Sequence, residues 1–114
     1  MIPPDRFENS EMPAKVVDAS VLGALVFSEP RAGEAAALLE GAELYAPKLM
    51  AFELTHIGQK KSAQFPAQIN AIQEALDIAL LMDIRWLDVS HMGVLRLALE
   101  TGLTTYDASY LYLS

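Results

Sequence analysis

Asp18 is the first of three acidic side chains whose positions could support chemistry. It ends the apolar run Lys15-Val16-Val17, which has the length and composition of a short buried strand. Ligands of open α/β sheets bind at the carboxyl ends of the strands, so a carboxylate here is well placed to hold a hard cation. Asp18 could equally cap the helix that starts near Ser20. Its position alone leaves both roles open.

Glu53 and Asp107 also have two interpretations each. On a helix, most of the neighbours of Glu53 at three and four positions are apolar, and a carboxylate there is costly unless it is paired or bound to a metal. Alternatively, Glu53 reaches water or pairs with Lys60. Asp107 follows Thr104 by three positions, which is the spacing of a capping box, so capping is a sufficient reason for both residues. In the functional interpretation, Asp107 points out of the strand-end crevice.

The remaining donor groups restrict the chemistry to oxygen ligands. The chain has no cysteine, which excludes disulfides, zinc–thiolate sites and thiol nucleophiles. His56 and His91 are far apart and lack metal-ligand spacing, and no Gly-rich phosphate loop is present. Ser20 has no histidine base, so we expect it to steady Asp18 by hydrogen bonding. Clustered carboxylates of this kind favour Mg²⁺ or Mn²⁺ over zinc.

Length and charge narrow the class of protein. The chain has 114 residues, enough for one domain, and its 53% hydrophobic content excludes a disordered tail. The net charge of −7 argues against binding nucleic acid by counterion release alone. A bound cation would supply the positive charge that an acidic protein lacks. Lys48, Lys60 and Lys61 are candidates for phosphate contacts, or they form a solvated helix end.

Short apolar runs alternate with helical segments along the chain. We predict a flexible leader over residues 1–14 and strands at Lys15–Asp18, Glu43–Ala46 and Ile84–Leu87. Predicted helices lie between and after the strands: Ala19–Phe27, Pro30 to Gly41, Pro47 to about Lys61, Pro66 to about Met82, Ser90 to Gly102, and Thr104 to the end. This alternation predicts an α/β domain with a parallel sheet. No signal peptide or run of about 20 apolar residues is present, so we expect a cytoplasmic protein without a membrane segment.

Taken together, three sequence blocks resemble the motifs of PIN domains, and most closely those of VapC toxins from toxin–antitoxin pairs. The blocks are Val16–Ser20, Ala51–Leu54 and Leu103–Tyr110, and the resemblance covers about residues 15 to 114. It implies a three-layer α/β/α ribonuclease that cleaves single-stranded or structured RNA with Mg²⁺ or Mn²⁺ and is inhibited by a cognate antitoxin. The residues that match the family's metal-binding, catalytic acids are Asp18, Glu53 and Asp107; Ser20 and Thr105 match the polar residues beside them.

The sequence departs from the family pattern at its end. PIN domains continue into a strand that carries a further acid, and nothing after Asp107 matches it, so we expect a C-terminally truncated domain over 15–114 with a weakened cation site. A non-catalytic PIN-like binding module is therefore the alternative function. An aspartate phosphotransfer domain would need a second acid beside Asp18, and the sequence supplies none. The excess of apolar residues for this length also predicts a homodimer.

Overall fold

The computed structural model describes residues 12–114, so most of the predicted leader, residues 1–11, lies outside the described residues. The described chain contains three strands, β1 (Ala14–Val16), β2 (Glu43–Pro47) and β3 (Ile84–Leu87). Its α-helices are α1 (Ala19–Val26), α2 (Ala32–Leu39), α3 (Leu49–Gln64), α4 (Ile69–Leu81), α5 (His91–Thr101) and α6 (Thr105–Leu113). A 3₁₀ turn at Pro66–Gln68 precedes α4. The predicted alternation of strands and helices is confirmed.

The three strands form one parallel sheet in the order β1-β2-β3. Val16 of β1 lies opposite Tyr45 of β2, which in turn lies opposite Arg85 of β3. The central strand is buried from its second residue to its end, as is typical of an inner strand of a parallel sheet. The carboxyl ends of all three strands therefore meet at one edge of the sheet, and this is the edge at which ligands of open α/β sheets bind.

One compact unit contains the sheet and the last two helices. It comprises residues 12–16, Gly41–Leu49 and Ile84–Ser114. Helix α6 packs against β2, and α5 packs against α6. Small side chains form the core between the two helices, because Val94 and Ala98 of α5 are buried together with Ala108 of α6. The start of α6 is therefore held close to the central strand.

A second compact unit is helical and comprises Val17–Glu40 and Met50–Asp83. Within it, α1 packs against both α2 and α4. A Cβ atom added at Gly23 of α1 would lie 3.2 Å from Cδ1 of Ile57 on α3, so the glycine allows α1 and α3 to approach closely. Leu22 and Leu54 are fully buried and anchor the helices that carry Asp18 and Glu53.

Two glycines end helices as the sequence predicts. Gly102 has a φ angle of +74° and donates its backbone N–H to the carbonyl oxygen of Ala98, which closes α5. Gly41 has a φ angle of +68° and turns the chain between α2 and β2. Both angles lie in the left-handed region that glycine adopts without a steric penalty.

Several predicted boundaries are wrong. Pro47, predicted to open a helix, is the last residue of β2, and the helix begins at Leu49. The first strand ends at Val16 rather than Asp18, because Asp18 already serves as the N-cap of α1. The predicted longest helix, from Pro66, is a 3₁₀ turn followed by the 13 residues of α4, whereas α3 extends to Gln64 and has 16 residues. The residue before a proline is biased away from the helical region, so the chain breaks at Phe65 and a new helix starts after it.

Candidate active site

Asp18 lies two residues beyond β1 and caps the N-terminus of α1. Its Oδ1 atom accepts a hydrogen bond of 2.9 Å from the backbone N–H of Val21 and one of 2.7 Å from the hydroxyl of Ser20. The predicted hydrogen bond between Ser20 and Asp18 is therefore present. Within residues 12–114, both hydrogen bonds to this carboxylate end on Oδ1, and the side chain is exposed. Capping thus uses Oδ1 of this exposed carboxylate.

Glu53 lies on the second turn of α3 and is half-buried. The residues on either side of it differ sharply in exposure: Leu54 is 0% exposed, whereas Phe52 is 77% exposed. Met50, one turn earlier, is also fully buried. Glu53 therefore stands at the border between the apolar face of α3 and its outer face, as the helical spacing of the sequence predicts.

Asp107 lies in the first turn of α6, where its carboxylate is exposed. The hydroxyl oxygen of Thr104, the N-cap residue, accepts a hydrogen bond of 3.1 Å from the backbone N–H of Asp107. This bond is the half of a capping box in which the threonine caps the helix. An acid at this position also interacts favourably with the helix dipole. Thr105 is the first residue of α6 and is exposed as well.

The predicted site residues fall into the two units described above. Asp18, Ser20 and Glu53 belong to the helical unit, and Thr105 and Asp107 belong to the sheet unit. In the part of the chain from Met12 onward, no group of three or more histidine or acidic side chains is arranged to hold a metal ion. The three-acid cation site consequently stays a prediction.

The side chains that the sequence predicts as ligands nevertheless carry the kinds of atom that a hard divalent cation binds. These atoms are carboxylate and hydroxyl oxygens, which are the ligands that Mg²⁺ and Mn²⁺ prefer. The carboxylate of Asp18 is also oriented by donors on one oxygen, an arrangement that commonly fixes metal ligands. Asp18, Glu53 and Asp107, with Ser20 and Thr105 in support, remain the residues that the sequence predicts as holders of such a cation.

Two of the predicted phosphate-binding lysines take part in ion pairs. Nζ of Lys61 lies 2.7 Å from Oε1 of Glu29, and this pair is partly buried. Nζ of Lys48 lies 2.9 Å from Oδ1 of Asp88, and this pair is exposed. Lys61 therefore packs within the helical unit. The interpretation of Lys61 as part of a solvated helix end does not predict this packing.

Sequence reasoning did not group Lys48, Asp88 and His91, which lie at the ends of β2 and β3. Lys48 comes directly after β2, Asp88 directly after β3, and His91 begins α5. These residues line a common cavity with the start of α6, including Tyr106. Their signal in the sequence was their position, because the carboxyl ends of neighbouring parallel strands share one edge of the sheet.

Comparison with known proteins identifies the family. A model of the PIN domain matches residues 15–113, so the chain belongs to the PIN domain family. Among solved structures, the chain is similar to the crystal structure of PAE2754 from Pyrobaculum aerophilum, with 27% sequence identity and a TM-score of 0.68. That alignment covers 95% of this chain and 72% of the other. Comparison with curated proteins gives no match.

Family membership defines what kind of domain this is. PIN domains are generally nucleases and typically use divalent metals, so the α/β architecture with its short parallel sheet is a nuclease fold. The predicted family and fold class are confirmed at this level. None of the helices within residues 12–114 has the length and hydrophobicity needed to cross a membrane.

Proposed function

We propose that this protein is a Mg²⁺- or Mn²⁺-dependent endoribonuclease and acts as the toxin of a toxin–antitoxin pair. The observation that carries the proposal is the Asp18 carboxylate, which is held on Oδ1 by Ser20 and Val21. Oδ2 is the oxygen that we propose as the cation ligand. Asp18 stands in the first of the three sequence blocks that resemble VapC toxins. The nuclease fold of the family supports the reaction class.

Asp18, Glu53 and Asp107 are the residues that we propose as metal ligands and catalytic acids. When bound, the cation would activate water, neutralise the scissile phosphate and steady the leaving oxygen. Ser20 keeps the Asp18 carboxylate in one orientation through its hydrogen bond. Thr104 fixes the backbone at Asp107, and Thr105 begins the same helical turn. These residues position oxygen ligands; they do not act as nucleophiles.

The charge of the protein is consistent with this use of acids. The chain carries 15 acidic and 8 basic residues, so its overall field repels an RNA backbone. Carboxylates that converge on a divalent cation would change the sign of the local field at the point where the phosphate must bind. Metal binding is therefore coupled to RNA binding in this proposal, and a chelator should weaken both.

We propose two partners: an antitoxin with a basic or amphipathic segment, and a second copy of the chain. We also propose that the protein acts in the cytoplasm. The acidic surface would attract a basic segment. Exposed apolar side chains, among them Met92 and Leu99, would be covered by either partner. The support for these partners is the charge of the chain and this exposed apolar surface.

The test is cleavage of single-stranded RNA by the wild type and by three isosteric variants. Asp18→Asn, Glu53→Gln and Asp107→Asn each remove a charge and preserve the shape of the side chain. We expect cleavage that requires Mn²⁺ or Mg²⁺, is abolished by a chelator and falls at least about 100-fold in each variant. The matched control is Asp77→Asn, which changes an exposed acid of α4 and should cleave like the wild type.

Two results would contradict the proposal. Undiminished cleavage by a folded Asp18→Asn variant would exclude the predicted site. Absence of both cleavage and Mn²⁺ binding in the wild type, measured by calorimetric titration, would favour the alternative of a non-catalytic PIN-like binding module. If Glu53→Gln only unfolds the protein, Glu53 serves packing and not metal binding.

A further inference from the structure

A cavity of about 410 Å³ lies in the sheet unit at the carboxyl ends of β2 and β3. Pro47 and Leu87, the last residues of these two strands, form part of its wall. Thr105 and Tyr106, from the first turn of α6, line another part. The volume is within the range of small-ligand sites, and the strand ends of an open parallel sheet are where such sites occur.

The wall of this cavity combines apolar side chains with a few polar groups. Leu49, Val89 and Val94 contribute apolar surface. The polar groups include the Lys48–Asp88 ion pair and the exposed imidazole of His91. Ligand sites for planar organic groups typically have this composition, in which apolar walls provide contact and convergent polar groups set orientation.

Tyr106 presents an aromatic ring at this cavity from an anchored piece of backbone. The residue is 61% exposed, although its aromatic ring is large and apolar. The hydroxyl of the buried Ser109 donates a hydrogen bond of 2.6 Å to the carbonyl oxygen of Tyr106, which ties the first turn of α6 to the next residues. Aromatic side chains on rigid backbone are the platforms on which unpaired bases stack.

The charges at the cavity favour a neutral ligand over a phosphate. Lys48 and Asp88, which supply the formal charges of the lining, compensate each other across 2.9 Å. Asp107 follows Tyr106 directly and adds a further exposed carboxylate at the start of α6. Among these side chains, a phosphate would find no unpaired cation to compensate its charge. A nucleobase has a neutral face and needs no such cation.

We propose that this cavity binds one unpaired base of the RNA substrate, with the base stacked on the ring of Tyr106. Lys48, Asp88 and His91 supply donors and acceptors for the polar edge of that base, which is how proteins distinguish unpaired bases. The inference rests on the proposed function, because it names the part of an RNA that enters the cavity. Thr105 lines this cavity and is also one of the residues that we propose in support of the metal ligands.

The test is binding of short labelled single-stranded RNAs, measured by fluorescence anisotropy. The parent protein is the wild type with its acidic residues unchanged, and the RNAs carry phosphorothioate linkages that resist cleavage in a buffer containing Mn²⁺. Thermal unfolding monitored by circular dichroism checks each fold. Tyr106→Ala should weaken binding about tenfold, because it removes a stacking partner, and Tyr106→Phe should bind within about twofold of the parent. Leu111→Ala is the matched control, since it truncates an exposed side chain of α6 that does not line the cavity.

A second arm removes the base instead of the ring. A series of RNAs carries one abasic nucleotide at each position in turn. One of them should bind the parent protein about tenfold more weakly and should show no further loss with Tyr106→Ala, because ring and base form one contact. Equal affinity of all these RNAs, or equal affinity of the Tyr106→Ala variant and the parent, would overturn the base-binding cavity.

The outcomes separate this inference from the nuclease proposal. If the wild type cleaves RNA with a metal but Tyr106→Ala does not change RNA binding, the base-binding proposal is overturned and the nuclease proposal is supported. If RNA binding depends on Tyr106 but the wild type cleaves no RNA, the base-binding proposal is supported and the nuclease proposal is overturned. Absence of RNA binding in every protein overturns the cavity, and the nuclease proposal is then judged by the cleavage assay alone.

Discussion

The hydroxyl of Ser20 donates a hydrogen bond of 2.7 Å to Oδ1 of Asp18, the residue that caps the same helix. The backbone N–H of Val21 donates to the same oxygen at 2.9 Å. Two donors on one oxygen restrict rotation of the carboxylate. The side chain that caps this helix is thus the same one that we propose as a metal ligand.

Removal of the Ser20 hydroxyl should weaken cation binding without unfolding the domain. In Ser20→Ala, the Asp18 carboxylate loses one of the donors that orient it, and loss of such a partner typically costs about tenfold or more in metal affinity. Ser20 is exposed, so the thermal midpoint should change little. The measurement is calorimetric titration of Mn²⁺, with Ser20→Thr as the control that retains a hydroxyl. Equal affinity in Ser20→Ala and the wild type would show that Ser20 does not position Asp18.

The capping role of Asp18 can be separated from its proposed catalytic role. Asn is as good an N-cap as Asp, so Asp18→Asn should keep the free energy of unfolding within about 0.5 kcal/mol of the wild type. Asp18→Ala leaves the first turn of α1 without its cap and should lower the free energy of unfolding by about 1 kcal/mol. Both variants should lose RNA cleavage. Urea denaturation compares the stabilities, and an Asn variant as unstable as the Ala variant would mean that the charge itself stabilises the helix.

Much of the fold could be predicted because local signals and burial agree. The strands Glu43–Pro47 and Ile84–Leu87 are apolar runs between clear helix terminators, and Gly102 ends its helix with a positive φ angle. The failures lie where two signals compete. The first strand is predicted to end at Asp18, but it ends at Val16; the alternative role of Asp18 as a helix cap is confirmed. Pro66 is predicted to start a helix, but it forms a 3₁₀ turn.

The candidate site was less predictable because it depends on contacts between residues that are distant in sequence. The bond from Ser20 to Asp18 spans two residues, so its donor and acceptor could be named in advance. The pair of Lys48 and Asp88 joins positions after two different strands, and only the parallel register brings these positions together. Pairing of Lys61 with Glu29 likewise depends on the packing of helices and not on local spacing.

The ion pair between Lys61 and Glu29 should stabilise the helical unit measurably. Its side chains are only 23% and 33% exposed, so removing the charge in Lys61→Met leaves a partly desolvated carboxylate without its partner. We expect a loss of about 1 kcal/mol in the free energy of unfolding, which decreases at high salt. Arg31→Met is the control, because its pair with Glu34 is 81% and 68% exposed and should contribute less than about 0.5 kcal/mol. Equal losses in the two variants would contradict this assignment.

Two glycine substitutions should have opposite effects on stability. Gly102→Ala forces a Cβ atom into a backbone with a φ angle of +74° and should destabilise the protein by about 1 kcal/mol. Gly33→Ala lies in α2, where an added Cβ meets no atom within 4 Å, and should stabilise it by about 0.5 kcal/mol. Thermal unfolding of both variants checks the signs. A stabilising Gly102→Ala would mean that the turn after α5 adjusts its backbone without cost.

The apolar outer face of α5 should mediate the homodimer that we propose. Met92, Leu95 and Leu99 are spaced along one side of this helix and are 58%, 42% and 77% exposed. Removing such a row from water favours association, and a charge in its centre opposes it. Leu95→Glu should therefore shift the protein from dimer to monomer in light scattering, whereas Leu81→Glu, an 82% exposed position on α4, should leave the dimer intact. A wild type that stays monomeric at high concentration would exclude the dimer. A dimer that only Leu81→Glu dissociates would instead place the interface on α4.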